Sequence, residues 1–501
     1  MIAFSREITL TQTHKNTIQS SALELVITLC HMLAAEAISY CHWKSNEALH
    51  RSASGENDLD LLVSRVDVRR FTEILYDLGF KEAFAPDEDE LPGVRDYYGY
   101  DRKSGCLVHV HAHFQLILGN DLSKNYRLPL EKVYLESAVQ GDLFRVPAPE
   151  FELLIFVIRM VLKHSTWDSI LMRHGRLSPS ERRELSYLTT PEIVNKADTL
   201  LDHVPGLSHE LFDACIQVLR PGCSIWRRIR VGEKLQKVLQ ASARRPHFAD
   251  LILKFTRRVW QPLQRRVFQY KPNHQMANGG LFIAFVGGDG AGKTTVVDEL
   301  STWLAEKFDV TKVHLGKPDW SWTTTITRAF LKVGTILRLY PFEGDVYEEA
   351  SQPHGLPWFI RAVCTARDRY LTYLKARRLS SNGSLVLCDR FSFPGFMEMD
   401  GPQCAQALTV LKEASWLHKR LAKWEVAYYE QIKLPDLLIV LRVQPELAVQ
   451  RKKEESQVSV HARSSEVWVL DWKKKSAHVI DAGLPRNEVI SQVQALVWEH
   501  L

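Results

Sequence analysis

Residues 281–307, LFIAFVGGDGAGKTTVVDELSTWLAEK, predict a buried strand that ends in a tight loop and leads into a helix. Positions 281–286 form an apolar run of strand length, and four glycines follow within six positions. After the glycines, Val297, Leu300 and Leu304 recur at helical spacing. The helix would therefore direct the positive end of its dipole towards the loop.

The spacing of a glycine, four further residues and Gly-Lys-Thr fits a phosphate-binding loop. Its backbone N–H groups surround a triphosphate only where no side chain intrudes, which glycine permits. Lys293 would reach the β- and γ-phosphates and Thr294 would hold Mg²⁺, so ATP and Mg²⁺ are the expected cofactors. The candidate ATP-binding residues are Gly287, Gly288, Asp289, Gly290, Ala291, Gly292, Lys293, Thr294 and Thr295. The alternative is a chance glycine-rich turn, in which strand, loop, Lys-Thr pair and helix follow one another by coincidence.

Length and composition set wide bounds on the rest. The chain has 501 residues, enough for two to four domains. Its 45% hydrophobic and 25% charged residues and its net charge of +5 are ordinary for a soluble globular protein and indicate no particular partner. The eight cysteines are scattered without a Cys-x-x-Cys pair, which favours free thiols in a reducing cytosol. These thiols lead us to expect a cytoplasmic protein, and no run reaches the length of about 18 apolar residues that a membrane span needs.

Beyond the loop, strand and helix patterns alternate, which predicts an α/β fold with a parallel sheet and helices on both faces. Apolar strands are expected at 312–316, 385–389, 434–443 and 478–481. The second of these ends in Asp389, which suits the acid that holds Mg²⁺ or its waters beside a phosphate-binding loop.

Several motifs of residues 278–501 resemble the thymidylate kinase branch of the P-loop nucleoside monophosphate kinases. They are GDGAGKTT at 288–295, Ala-Arg-Asp-Arg at 366–369, Asp-Arg-Phe at 389–391, Pro-Asp at 435–436, Arg451 and Val-Ile-Asp-Ala at 479–482. The resemblance implies that Arg369 and Arg390 grip the phosphate of the acceptor, that Asp389 serves the metal, and that Arg451 lies in a lid over ATP. The alternative for the first two arginines is an ordinary surface ion pair.

One stretch departs from that family. Thymidylate kinases carry Arg-Glu-Pro-Gly-Gly after their second strand, whereas this chain has Gly-Lys-Pro-Asp-Trp at 316–320. The arginine position is Gly316, so the acceptor need not be dTMP.

The N-terminal part offers a second candidate site. Asp58 and Asp60 lie two residues apart in an apolar strand pattern, which puts both carboxylates on one face. Paired carboxylates can bind two divalent metals, although two solvated aspartates are the simpler alternative. With the Lys-Ser-Asn loop that contains Ser45, residues 36–125 resemble the nucleotidyltransferase superfamily.

That superfamily needs a third carboxylate on a neighbouring strand, and His109 stands in the expected place. His109, His111 and His113 alternate with apolar residues, so one strand face would carry imidazoles. Two alternatives stay open: a metal site completed by histidine, or a transferase site that has lost its Mg²⁺ chemistry and kept its fold.

We therefore expect an α+β nucleotidyltransferase-like domain at 1–145, a helical region with a basic linker at 146–275, and a thymidylate kinase-like domain at 278–501. Residues 220–271 hold fourteen Lys or Arg against Glu233 and Asp250, with apolar residues between arginine pairs. This segment is a candidate for weak contact with an anionic membrane, a polyanion or an acidic partner, or else a solvated helical linker.

The favoured function is ATP- and Mg²⁺-dependent phosphoryl transfer to a small-molecule acceptor, in the first place a nucleoside monophosphate. One alternative is a bifunctional kinase and nucleotidyltransferase acting on a sugar-like metabolite. The other is an ATP-binding switch that docks on a membrane or an acidic partner.

Overall fold

The computed structural model describes residues 21–85, 91–171, 176–267, 273–337, 339, 355–392, 401–411, 413–452, 456–472 and 476–501. The chain divides into two compact units, Met1–Pro272 and Asn273–Leu501. The predicted helical region thus lies in the same unit as the N-terminal sheet. No described helix is both long and apolar enough to cross a bilayer.

The first unit begins with a mixed α/β part. Its elements are α1 (Glu24–Ala35), β1 (Tyr40–His42), α2 (Leu49–Ala53), β2 (Leu59–Val63), α3 (Val68–Asp77), β3 (Lys81–Phe84), β4 (Val94–Asp101), β5 (Cys106–His113), β6 (Leu116–Leu118), β7 (Tyr126–Leu128), α4 (Glu131–Glu136), β8 (Val139–Gln140) and β9 (Arg145–Val146). Helices follow: α5 (Pro149–His164), α6 (Trp167–Leu171), α7 (Pro179–Leu188), α8 (Pro191–Asp198), α9 (His209–Leu219), α10 (Ile225–Val238) and α11 (His247–Val267).

The sheet of this unit runs in the order β1-β2-β5-β4-β3. Strands β2 and β5 are parallel, and the other neighbours are antiparallel. The register places Asp60 of β2 opposite His111 of β5, and His111 opposite Asp96 of β4. Three polar side chains therefore lie side by side across three strands.

The polar side chains share one face of the sheet because the residues that alternate with them are buried on the other face. Val108, Val110 and Ala112 alternate with the histidines of β5 and are buried in a core that includes Leu29 of α1 and Phe71 of α3. A second core surrounds α5, whose residues are buried on nearly all sides. A helix that is apolar all round is stable only at the centre of its unit, which is the position α5 takes among the later helices.

The second unit has the strand and helix alternation of a parallel sheet. Its elements are β10 (Gln275–Met276), β11 (Phe282–Gly287), α12 (Lys293–Ala305), β12 (Val310–His314), α13 (Trp322–Ile336), α14 (Leu356–Ser381), β13 (Leu385–Asp389), α15 (Cys404–Val410), α16 (Trp416–Glu430), β14 (Leu437–Arg442), α17 (Pro445–Arg451), α18 (Gln457–Val469), β15 (His478–Asp481) and α19 (Arg486–His500).

Its five-stranded sheet has the order β12-β13-β11-β14-β15, and every neighbouring pair is parallel. All six residues of the central strand β11 are buried, so both faces of this strand are covered. The mixed α/β fold with a parallel sheet is thereby confirmed for the P-loop part. Because β11 and β13 are adjacent and parallel, the loops that follow them meet at one edge of the sheet, where ligands bind in folds of this kind.

Candidate functional site

The loop after β11 has the backbone that its glycines permit. Gly290 and Gly292 have φ angles of 80° and 81°, which L-residues with side chains rarely adopt. A Cβ atom on Gly290 would also lie 2.9 Å from the carbonyl oxygen of Ala448. Helix α12 begins directly after Gly292, so the N–H groups of its first turn lie at the loop.

Lys293 lies inside this loop. Its side chain is 7% exposed, and its Nζ donates hydrogen bonds to the carbonyl oxygens of Gly287 and Gly288, each 2.9 Å away. The ammonium group is thus held at the centre of the loop, where it would meet the phosphates of a bound nucleotide.

Thr294 and Asp389 come together at the adjoining strand end. The Thr294 hydroxyl donates to Asp389 Oδ2 over 3.0 Å, and Asp389 Oδ1 is buried with no hydrogen-bond partner in the described part of the chain. A hydroxyl and a carboxylate with a free oxygen are the hard ligands that Mg²⁺ prefers. These two residues therefore fit a magnesium ion.

Asp289 links the loop to two arginines. Its Oδ1 accepts a hydrogen bond from Arg390 over 3.3 Å, and its Oδ2 accepts one from Arg463 of α18 over 2.8 Å. Burial opposes ionisation of Asp289, but the hydrogen bond from Arg463 and the charges of Lys293 and Arg390 hold its pKa below the usual value. The carboxylate is therefore ionised and fixes both guanidinium groups beside the loop.

Arg390 also has an unusual backbone, with a φ angle of 60°. Such a conformation is costly for a residue with a side chain and persists where the surroundings impose it, often at functional sites. The residue directly after Asp389 is thus turned so that its guanidinium reaches Asp289.

Arg369 is buried in α14 rather than open to solvent. Its Nη2 donates to the Gly316 carbonyl over 2.9 Å, and its Nη1 donates to the hydroxyl of Tyr429. The neighbouring Asp368 accepts a hydrogen bond from the Ser321 hydroxyl over 2.7 Å. These contacts hold the segment after β12 against α14.

Arg451 lies at the end of α17 beside the loop. Its Nη1 donates to the carbonyl oxygens of Ala482, 3.0 Å away, and Gly290, 3.4 Å away. The predicted lid spans residues 450–455, of which 453–455 fall outside the described residues. Through these two hydrogen bonds, Arg451 connects the phosphate-binding loop to the turn after β15.

In the first unit, the sheet face opposite its core carries three carboxylates and three imidazoles. We call this set, Asp58, Asp60, Asp96, His109, His111 and His113, the carboxylate–histidine cluster. His109 lies between two of the acids: its Nδ1 is 2.9 Å from Asp58 and its Nε2 is 2.8 Å from Asp96. Burial opposes protonation, but the hydrogen bonds with Asp58 and Asp96 raise the pKa of His109 to about 9. At neutral pH His109 is therefore a cation and offers no lone pair to a metal.

Asp60 also has a cation beside it. The Lys44 ammonium lies 2.7 Å from Asp60 Oδ1, and His111 Nδ1 lies 3.2 Å from the same oxygen. Burial alone would raise the pKa of Asp60, but Lys44, His111 and His113 outweigh it and hold the pKa well below the usual value.

A pair of magnesium ions does not fit the cluster as it stands. Lys44 and protonated His109 already neutralise the carboxylates that would have to balance the charge of the metals. One ligand atom each of Asp60, His111 and His113 lies within 4.8 Å of the other two. The carboxylate of Asp60, however, already forms an ion pair with Lys44.

Ser45, the remaining sequence candidate, has a left-handed backbone with a φ angle of 61°, and its N–H donates to Glu184 of α7 over 3.2 Å. Two further residues were missed in the sequence. Asp96 is the third carboxylate of the cluster, one strand beyond His109, and Arg463 is the second partner of Asp289. Neither stands in a recognisable motif; Asp96 shows only as an acid in the alternating strand VRDYYGYD.

No protein-family model matches the chain. It is 26% identical over 227 residues to a thymidylate kinase of Trichodesmium erythraeum, a match that covers 44% of this chain and 96% of the relative. It is 26% identical over 234 residues to a probable thymidylate kinase of Staphylothermus marinus (45% and 98%) and 27% identical over 222 residues to an uncharacterized ATP-binding protein, YghR, of Escherichia coli (43% and 86%). A solved thymidylate kinase of Candida albicans aligns with 19% identity and a TM-score of 0.29, covering 44% of this chain and 90% of that one. The chain thus has distant homology to thymidylate kinase-like P-loop kinases over about 44% of its length.

Proposed function

We propose that the second unit transfers the γ-phosphoryl group of ATP to a small-molecule acceptor, in the first place a nucleoside monophosphate. The observation that carries the proposal is the meeting of Lys293, Thr294 and Asp389 at one sheet edge, with Thr294 Oγ1 3.0 Å from Asp389 Oδ2. The homology to thymidylate kinases and to an ATP-binding protein supports the use of ATP.

Phosphoryl transfer depends mainly on positioning and on neutralising charge, for which no covalent nucleophile is needed. In the proposed site Lys293 binds the β- and γ-phosphates, and the loop N–H groups hold the nucleotide in place. Thr294 and Asp389 would hold Mg²⁺, which when bound neutralises charge on the phosphate oxygens. Arg390 and Arg463, held by Asp289, would stabilise the charge that develops on the transferred group.

The test is an acceptor screen with γ-labelled ATP that covers nucleoside monophosphates and sugars. With an accepted substrate, Lys293→Ala should lower turnover by at least about a hundredfold, since it removes one electrostatic stabiliser. Lys423→Ala, at an exposed lysine of α16, is the matched control and should retain activity. Turnover by Lys293→Ala close to that of the unmodified chain would disprove the proposed kinase.

A second candidate function, an ATP-binding switch that docks on an anionic membrane, is favoured by one surface of α11. Phe248, Ile252, Phe255 and Val259 recur at helical spacing and are all exposed. The other side of the helix is fixed by the buried ion pair of Lys254 and Asp250, 2.9 Å apart. An outward apolar stripe in an arginine-rich helix is the arrangement of an interfacial helix.

Flotation with vesicles tests this candidate. Binding to vesicles rich in phosphatidylserine should fall steeply as salt rises, and Phe255→Ser should weaken it. Phe84→Ser, at an exposed phenylalanine of β3, is the control. No binding at low salt, or equal binding to neutral vesicles, would leave α11 as a solvated helix.

A further inference from the structure

A cavity of about 400 Å³ lies wholly within the first unit, next to the carboxylate–histidine cluster. The loop after β1, Asp60 of β2, the turn after β6, and helices α5 and α7 surround it. Its volume falls within the range of about 300–1,000 Å³ that is usual for small-molecule sites. Nothing in the proposed kinase chemistry uses this cavity.

Ionised side chains dominate its walls. The cations are Lys44, Arg51, Lys124, Arg159, Lys163 and Arg183, and the acids are Glu47, Asp60, Asp121, Glu181 and Glu184. Most of these charges are paired across the wall: Lys44 with Asp60 at 2.7 Å, Lys163 with Asp121 at 3.1 Å, and Arg183 with Glu47 at 3.0 Å. The paired groups offer both donors and acceptors to a ligand, while the cations exceed the acids.

The excess positive charge lies at Lys124. Its ammonium forms no ion pair or hydrogen bond with any described residue. Burial lowers the pKa of Lys124, and the charge of nearby Lys44 lowers it further. Arg159 forms an ion pair with Glu184, whose Oε1 lies 3.6 Å from Nη2, and has a buried Nε without a hydrogen-bond partner in the described ranges. Both cations line the cavity, and Arg159 is close enough for its charge to lower the pKa of Lys124.

Lys124 and Lys44 lie on two loops that contain residues with costly backbone conformations. Lys124 has a φ angle of 43°, and Ser45, next to Lys44, has a φ angle of 61°. The turn of Lys124 is fixed at both ends: Asn120 donates to the Ser169 hydroxyl over 2.8 Å, and Asn125 accepts the N–H of Arg245 over 2.9 Å. Strained residues held in this way commonly form preorganised sites.

One wall is aromatic. The Lys44 ammonium lies 5.3 Å from the centre of the Trp43 ring, and the Arg159 guanidinium lies 5.9 Å from it. The cations are thus gathered around a flat apolar surface, beside carboxylates that accept hydrogen bonds from hydroxyl groups. This chemistry matches a polyol that carries one anionic group.

We infer that this cavity binds the phosphate monoester of a sugar without a metal ion. Lys124 and Arg159 hold the phosphate, and the paired acids and cations bind the hydroxyl groups. Lys44 takes the place beside Asp60 that a divalent cation would otherwise need. The inference does not depend on the proposed kinase reaction.

The test measures binding of glucose 1-phosphate, inorganic phosphate and a nucleoside monophosphate by calorimetry. It uses the full chain with Lys293→Ala, so that the loop of the second unit contributes little, in the presence of EDTA. Glucose 1-phosphate should bind with EDTA present. Lys124→Met should weaken this binding by at least about tenfold, because it removes the cation and keeps most of the apolar part of the side chain. Lys132→Met, whose side chain is 88% exposed on α4, is the matched control.

Thermal melting of each variant separates lost binding from lost folding. Equal affinity in Lys124→Met and the control would overturn the inference, as would binding that requires a divalent metal. A nucleoside monophosphate that binds more tightly than glucose 1-phosphate, and that loses this affinity in Lys124→Met, would overturn the assignment to a sugar phosphate without a base. Inorganic phosphate that binds as tightly as glucose 1-phosphate would overturn recognition of the sugar.

Discussion

Arg369 donates a hydrogen bond from Nη2 to the carbonyl oxygen of Gly316, 2.9 Å away, in a buried part of the second unit. A Cβ at Gly316 would lie 2.8 Å from the ring of His314 and 3.0 Å from Arg390 Cδ, so a side chain at this position requires both neighbours to shift. The arginine that the resemblance leads one to expect at this position would therefore require His314 and Arg390 to repack. The hydrogen bond from Arg369 to the Gly316 carbonyl holds this turn in place.

Arg369→Lys should lower kcat/KM for the acceptor by at least about tenfold, because an ammonium group cannot reproduce a planar fork that donates in two fixed directions. The KM for ATP should change little, since Gly316 and Tyr429, which accept hydrogen bonds from Arg369, lie outside the phosphate-binding loop. Steady-state kinetics with each substrate varied in turn measures both. Arg378→Lys, at an exposed position of the same helix, should leave all constants unchanged; equal kinetics in the two variants would refute the positioning role.

The same packing bears on the acceptor. Because Gly316 presents no side chain to the pocket, we expect dTMP to be no better a substrate than other nucleoside monophosphates. Competition between acceptors at equal concentration gives the ratio of kcat/KM values directly. A strong preference for dTMP over every other acceptor would contradict this prediction and leave the proposed kinase reaction intact.

The Asp289 carboxylate accepts hydrogen bonds from two arginines, Arg390 and Arg463. Arg463→Met and Asp289→Asn should each lower kcat by about tenfold or more, as expected when a stabilising charge is lost or misplaced. Since both changes break the same contact, the double variant should lose less than the product of the two single effects. Fully multiplicative losses would show that Arg463 and Asp289 act independently. Arg420→Met, at an exposed arginine of α16, controls for the loss of a positive charge.

The sequence was informative where the functional groups are neighbours in the chain. The loop from Gly287 to Thr294 is local, so its spacing alone predicted the turn and the helix that follows. Asp389 could also be placed, because the carboxyl ends of adjacent parallel strands share one edge. Residues that meet only through tertiary packing could not be found in this way, and Arg463 on α18 is the clearest case.

The cluster in the first unit shows the same limit. The alternation of the β5 histidines correctly placed them on one face, away from the core. The third carboxylate was nevertheless sought at His109, because the antiparallel register of β4 cannot be read from its sequence. That register puts Asp96 opposite His111 and within 2.8 Å of His109.

The raised pKa of His109 predicts a pH dependence of stability. A folded pKa of about 9 against an unfolded pKa of about 6.5 means that the protonated form stabilises the fold. This contribution, on the order of 3 kcal/mol, is complete below about pH 6.5 and disappears as the pH rises through about 9. His109→Gln should therefore destabilise the first unit at pH 6 and make little difference at pH 10.

Urea unfolding of both chains at the two pH values measures this difference. His209→Gln removes a largely exposed histidine of α9 and should have little effect at either pH. A destabilisation by His109→Gln that is the same at pH 6 and pH 10 would mean that His109 acts through packing rather than through its charge.

The final prediction concerns Mg²⁺-dependent nucleotidyl transfer, which the resemblance of residues 36–125 to nucleotidyltransferases would imply. Asp58 and Asp96 bind the imidazolium of His109, and Asp60 binds Lys44. The charges of Lys44 and His109 thus already neutralise the carboxylate oxygens that two Mg²⁺ ions would need as ligands.

We therefore expect no label transfer from α-labelled nucleotides with Mg²⁺ when the intact chain is incubated with small-molecule acceptors. Lys44→Met together with His109→Asp removes both cations and supplies another oxygen ligand, and this double variant should bind Mn²⁺ or Mg²⁺ more tightly than the unmodified chain. Isothermal titration with each metal measures that gain, and Lys132→Met is again the control. Efficient Mg²⁺-supported transfer by the unmodified chain, abolished by Asp60→Asn, would show that Lys44 gives way to the metal and that the first unit is an active transferase.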